Sequence, residues 1–228
     1  MTQRSYLNLG AGRISLPQTS KPAHWGLIPD AVTRYPLFVN VDRNPQPGIN
    51  CVVDLFSYPW NLPSDSFDGA IAAHLVEHIP HEIRLSDYGT DFKRSIEEND
   101  DYITPRAAEL RKCQDGWFAW WAELYRVLTP GAIVHVLSPY ATSAGFLGDP
   151  SHTRPITEQT LLHSMRPNPD APFEYATGGI HFELVGSPSY AIEPEFAHLI
   201  DKPERLAYAV RHQWNVVTEM YMALECVK

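Results

Sequence analysis

The sequence predicts an α/β domain built on a mostly parallel sheet. Three observations carry that prediction. Short apolar runs recur along the N-terminal half, one ending in a glycine turn and two ending in a carboxylate. Strand patterns then alternate with helical ones, which implies parallel strands joined by right-handed crossovers. Finally, 228 residues, 44% hydrophobic and 20% charged, are enough for a packed core and argue against wholesale disorder.

The first strand is expected at Tyr6–Leu9, running into the turn Gly10-Ala11-Gly12. Pro17, Pro22 and Pro29 prevent a long helix from starting at once. A short helix near Asp30–Arg34 fits instead, and Pro36 leads into a second strand, Leu37–Asp42. The turn Asn44-Pro45-Gln46-Pro47-Gly48 precedes a third short strand, Cys51–Val53, closed by Asp54. Phe67–Ala73 reads as a fourth strand whose small residues permit close packing. From about His81 to Lys112 charges of both signs mix, with Glu97–Asp101 locally acidic. That stretch reads as a lid-like or partner-binding insertion at 81–112, or as a solvated surface excursion, within a single domain spanning 1–228.

Trp117, Trp120, Trp121, Leu124 and Leu128 follow helical spacing, which predicts an amphipathic helix burying a bulky face. Thr129-Pro130-Gly131 is expected to stop it, with Ala132–Leu137 as a fifth strand. Further strands are expected near His181–Val185 and Ser189–Ile192. A helix fits between Pro203 and His212, and a last strand, Val216–Val227, suits an antiparallel edge pairing.

Composition removes several function classes. The formal net charge is −9, which disfavours tight nucleic-acid binding, since neutralising phosphates takes a basic surface. Cys51, Cys113 and Cys226 are odd in number and widely spaced, so they form neither a disulfide framework nor a zinc-finger pattern. No apolar run reaches membrane-spanning length and no signal segment precedes the first strand, so the expected compartment is the cytoplasm. Oligomeric state is not readable.

The strongest functional clue is the pairing of the glycine turn with Asp42. Glycine lets a ligand approach the backbone closely. A carboxylate at the tip of the neighbouring parallel strand can accept hydrogen bonds from both hydroxyls of a ribose. Together they suggest a pocket for a nucleoside-containing cofactor.

The order of parts resembles the class I S-adenosylmethionine-dependent methyltransferases. The matching pieces are Asn8-Leu9-Gly10-Ala11-Gly12, Asn40-Val41-Asp42, Val53-Asp54-Leu55, Leu62–Asp68, His74–Ile79, Leu124–Gly131 and Asp149–Arg154. They cover residues 5 to about 160. The resemblance implies a Rossmann-like class I methyltransferase fold, a seven-stranded mostly parallel sheet with an antiparallel C-terminal edge strand. It implies S-adenosylmethionine as cofactor, S-adenosylhomocysteine as product, and methyl transfer to oxygen or nitrogen of a small-molecule or glycan acceptor.

By position, Asn8, Gly10, Ala11 and Gly12 would meet the methionine part and Asp42, with Arg43 beside it, the ribose. Asp54 and Leu55 would meet the adenine, and His74 would lie near the sulfonium. Arg13 and a proline-rich stretch stand where the family carries another glycine and an immediate helix. Asp42 and Asp54 also suit simple capping of turns. His152 is the candidate base or acceptor-binding residue and Arg154 a candidate anion-binding one; either could instead tie its loop to the body. Tyr140 and Phe146 fit an apolar wall or the core.

Two alternatives stay open. His74-Leu75-Val76-Glu77-His78 matches the His-x-x-Glu-His signature of inverted zinc peptidases, although Pro80 would cut short the helix that signature needs. A zinc-dependent hydrolase using His74, Glu77 and His78 is one alternative, and a non-catalytic cofactor-binding module is the other.

Overall fold

The computed structural model describes residues 5–17, 22–35, 37–86, 105–110, 113, 115–165 and 179–228. Most of the expected insertion and its acidic run lie outside these residues. The strands in chain order are β1 (Tyr6–Leu9), β2 (Phe38–Asp42), β3 (Cys51–Val52), β4 (Ser57–Tyr58), β5 (Phe67–Ala73), β6 (Arg84–Leu85), β7 (Leu128–Pro139), β8 (Phe182–Ile192) and β9 (Val217–Cys226). Seven form one sheet in the order β3-β2-β1-β5-β7-β9-β8, while β4 and β6 pair apart as a small parallel ribbon. Every pairing from β3 to β7 is parallel, and β9 runs antiparallel to both its neighbours.

The antiparallel C-terminal strand is present, but β8 takes the outermost place beside it. Burial explains the order. Met220–Leu224 of β9 is continuously buried and needs a neighbour on each side, whereas β8 is mostly exposed or half-buried, as an edge strand can be. The two strands expected near His181–Val185 and Ser189–Ile192 are one strand with a register shift between Val185 and Ser189. Gly186, at φ +74°, and Pro188, which has no N–H to donate, account for the break.

The helices are α1 (Pro105–Leu110), α2 (Gly116–Val127), α3 (Ala144–Leu147), α4 (Glu158–Met165) and α5 (Pro203–His212). Asp115 caps α2 by accepting from the Trp117 N–H at 2.7 Å. Gly116 is required there, because a Cβ would come within 2.3 Å of the Pro80 carbonyl oxygen. Trp117, Trp120, Trp121, Leu124 and Val127 are all buried, with Trp120 and Trp121 edge-to-face at 4.9 Å. Each such burial stabilises by roughly 1.5–3 kcal/mol, so the tryptophan stripe is core. The helix ends at Val127, and β7 begins at Leu128 with Thr129, Pro130 and Gly131 inside it, since Leu128 already pairs with Phe67.

Between β1 and β2 the described residues hold only two single 3-10 turns, Ala23–Trp25 and Val32–Arg34. The second occupies the place of the expected short helix. Without a helix, the backbone after Gly12 must find other partners. Two buried amides supply them. Asn8 Nδ2 donates to the Ile14 carbonyl at 2.7 Å and to Asn40 Oδ1 at 2.8 Å. Asn40 in turn accepts from the Leu16 N–H and donates to the Leu16 carbonyl. The proline-rich segment is therefore held across the sheet by side chains.

Candidate functional site

In a parallel sheet, ligands bind outside the carboxyl ends of the strands where the strand order reverses. Here that point lies between β1 and β5. A cavity of about 500 Å3 opens nearby, within the usual range for small-ligand sites. Its wall includes Gly10 after β1, Asp42 and Arg43 at the end of β2, and Asp54 and Leu55 after β3. These five expected residues surround one space. Gly10 and Gly12 have φ of +63° and +53°, a conformation that favours glycine. A Cβ at Gly12 would meet nothing nearer than 3.9 Å, so the turn leaves room beside its backbone.

Asp42 does two jobs. Oδ2 accepts from the Gly12 N–H at 2.9 Å and Oδ1 from the Asn44 N–H at 2.8 Å. A carboxylate has about four acceptor positions, so two remain for a ligand. Gln46 Nε2 donates to the Gly12 carbonyl at 2.6 Å and pins the other side of the turn. Asp54 is similar: it caps its own turn through the Phe56 N–H and the Ser57 hydroxyl, yet faces the cavity. Capping and cavity-lining thus coexist in both residues.

Other expected residues lie outside this wall. Asn8 is 1% exposed and holds the proline-rich segment. Ala11 is buried and donates its N–H to Val41. His74 follows β5 directly with φ +53° and sits between two carboxylates: Nδ1 is 3.7 Å from Glu77 Oε1, and Nε2 is 3.2 Å from Glu219 Oε1 without hydrogen-bond geometry. Burial alone would lower its pKa, but Glu219 and Glu77 outweigh that and raise it to about 9. Arg154 is committed to structure: it donates to the Ile79 and Pro80 carbonyls and pairs with Asp115. Tyr140 and Phe146 are buried, and neither belongs to the cavity wall.

The loop after β7 contributes Ser151 and Thr153 to the cavity, with Ser151 against His78. His152 lies just behind, its ring 4.7 Å from that of His78 and stacked on Phe146. Its Nδ1 is 2.9 Å from the Phe146 carbonyl oxygen, and His78 Nδ1 is 3.2 Å from that of Ser151. A carbonyl only accepts, which favours a proton on Nδ1 of His152 and a lone pair on its Nε2 in the neutral ring; His78 Nδ1 is also 3.2 Å from the Ser151 hydroxyl. The loop is clamped to the segment after β5, with the Thr153 and Arg154 N–H groups both donating to the Glu77 carbonyl.

Sequence reasoning missed several cavity residues, among them Phe56, Leu75, Arg84, Ser151 and Thr153. Phe56 follows Leu55 directly and was within reach of the same argument. Arg84 reaches the wall only because β6 pairs with β4. The inverted zinc-peptidase arrangement is absent: after His74 the chain forms only a 3-10 turn, Val76–His78, so no continuous helix carries both histidines. No helix among the described residues is long and apolar enough to cross a membrane.

No family model and no curated protein sequence matches the chain. Solved structures do. A SAM-dependent methyltransferase from Archaeoglobus fulgidus superposes with TM-score 0.50 at 16% identity, over 98% of this chain and 86% of that one. Phosphoethanolamine N-methyltransferase 2 of Haemonchus contortus, in complex with S-adenosyl-L-methionine, gives TM-score 0.48 at 13% identity, over 100% of this chain and 49% of that one. The 1,6-didemethyltoxoflavin-N1-methyltransferase of Burkholderia thailandensis gives 0.47 at 12%, over 98% and 71%. The likeness to the Archaeoglobus protein shows the fold: the Rossmann-like class I methyltransferase fold expected from the order of motifs.

Proposed function

We propose that the protein is an S-adenosylmethionine-dependent methyltransferase acting on oxygen or nitrogen of a small acceptor. The observation that carries this reading is the meeting of Gly10, Asp42 and Asp54 around one cavity at the strand-order reversal. The residues fit the group. Gly10, bare of a side chain in the cavity wall, suits the amino-acid part, Asp42 keeps two acceptor positions for ribose hydroxyls, and Asp54 and Leu55, with Phe56, suit an adenine. Bound there, the cofactor supplies an already activated methyl group on a sulfonium.

The chain's own task is then alignment, exclusion of water and management of the acceptor's proton. That task falls on the wall where Ser151 and Thr153 face the cavity and the His78–His152 pair stands with each Nδ1 at a backbone carbonyl. Arg154 holds this wall in place through its bonds to Ile79 and Pro80. Calorimetric titration with S-adenosylhomocysteine tests the reading. Saturable binding is expected, and absence of binding at millimolar ligand would overturn it.

A further inference from the structure

Glu77 is the one feature of this region that methyl transfer does not explain. Its side chain is 0% exposed, and neither carboxylate oxygen has a hydrogen-bond partner among the described residues. Burying a carboxylate in that state costs several kcal/mol unless another charge compensates it. His74 at 3.7 Å is an ion contact on one oxygen only. Beside Glu77 stand His78 and His152, and one ligand atom from each of the three residues lies within 4.8 Å of the other two.

The geometry points to a site for a divalent first-row transition ion held by Glu77, His78 and His152. Two imidazoles and one carboxylate are a donor set that zinc, cobalt and iron(II) accept, with further positions left open. Each Nδ1 lies within hydrogen-bond distance of a backbone carbonyl, Phe146 for His152 and Ser151 for His78, the latter with the Ser151 hydroxyl also at 3.2 Å. This is the outer arrangement that orients metal-bound histidines and leaves Nε2 for the ion. Bonds of about 2.0–2.1 Å hold tetrahedral ligand atoms roughly 3.4 Å apart, so small side-chain rotations would close the site. The backbone bonds from Thr153 and Arg154 to Glu77 already hold the two segments together. The ion would give the Glu77 oxygens the direct partners they lack beyond the His74 ion contact, and the open positions would face the cavity that His78 lines. Where the methyl-donor reading also holds, an acceptor hydroxyl on the ion would lose its proton more readily than in water.

The test uses the full chain, stripped with chelator and titrated with Zn2+ and with Co2+. One ion per chain at micromolar affinity or better is expected, with a Co2+ spectrum lacking thiolate bands. His152→Ala and His78→Ala should each weaken binding by about tenfold or more, the loss already seen when outer orienting groups are removed. Glu77→Gln should do the same; if that variant does not fold, the histidine variants decide. Absence of binding, unchanged affinity in both histidine variants, or a thiolate band that assigns the ion to a cysteine would each overturn the site. S-adenosylhomocysteine titration of the same samples separates the two ideas. Metal without cofactor binding would sink only the methyl-donor reading, and cofactor without metal binding would sink only the ion site.

Discussion

Two glutamates in this molecule are equally inaccessible and differently provided for. Glu123, on α2, is 0% exposed and accepts four hydrogen bonds: from Arg106 Nε and Arg126 Nε on one oxygen, and from the Trp60 N–H and Arg126 Nη2 on the other. Burial works to raise its pKa, but the two guanidiniums hold it below the usual carboxylate range. Glu77, in the 3-10 turn after β5, is as deeply buried, yet its carboxylate has no hydrogen bond among the described residues and a single ion contact, with His74. The contrast teaches how to separate structural from functional charge. A carboxylate whose acceptor positions are filled by the protein serves the fold, whereas one with empty positions beside His78 and His152 is where the proposed ion would add partners.

The largest effect should come from breaking the satisfied case. Glu123→Ala strands two partly buried arginines and the Trp60 N–H, and should cost about 3–5 kcal/mol in urea unfolding. Glu77→Gln removes no side-chain hydrogen bond and only the ion contact with His74, so in the absence of metal it should cost clearly less than Glu123→Ala. Equal losses would erase the distinction.

His135 offers an intermediate case. Its Nδ1 meets the Tyr221 hydroxyl at 2.8 Å, while Nε2 has no hydrogen-bond partner among the described residues. Burial pushes its pKa down to about 4. An unfolded histidine titrates near 6.5, so the unfolded chain binds the proton first as pH falls. The contribution is whole above about pH 6.5 and erodes down to about pH 4, by about 3 kcal/mol in total. Stability against pH should show that slope, and His135→Leu should flatten it.

Asp42 sharpens the comparison at the cavity, being half filled by Gly12 and Asn44. Asp42→Ala should weaken S-adenosylhomocysteine binding by about 1–3 kcal/mol, read by calorimetry. Unchanged affinity would assign Asp42 to turn capping alone.

How far the chain could be read in advance differed residue by residue. Tyr6–Leu9, Phe67–Ala73 and Pro203–His212 were each legible to the residue, because a run of apolar side chains or a proline at a helix start acts locally. The cluster of Gly10, Asp42 and Asp54 was legible because glycine and aspartate at strand ends are local signals too. Asn8 was misplaced toward the cofactor, since its partners Ile14 and Asn40 belong to a loop and to a neighbouring strand. Arg154 carried no mark distinguishing an anion site from an anchor until the Ile79 and Pro80 carbonyls were seen to face it.

Backbone sterics and side-chain periodicity are properties of near neighbours, and they sufficed for the strands, the tryptophan helix and the glycine turn. Which strand lies outermost, which carboxylate goes unanswered and which histidine pairs with His78 depend on groups distant along the chain, such as His152. Those outcomes arise from the docking of the loop after β7 onto the segment after β5, where desolvation and hydrogen bonding are decided by what happens to arrive alongside.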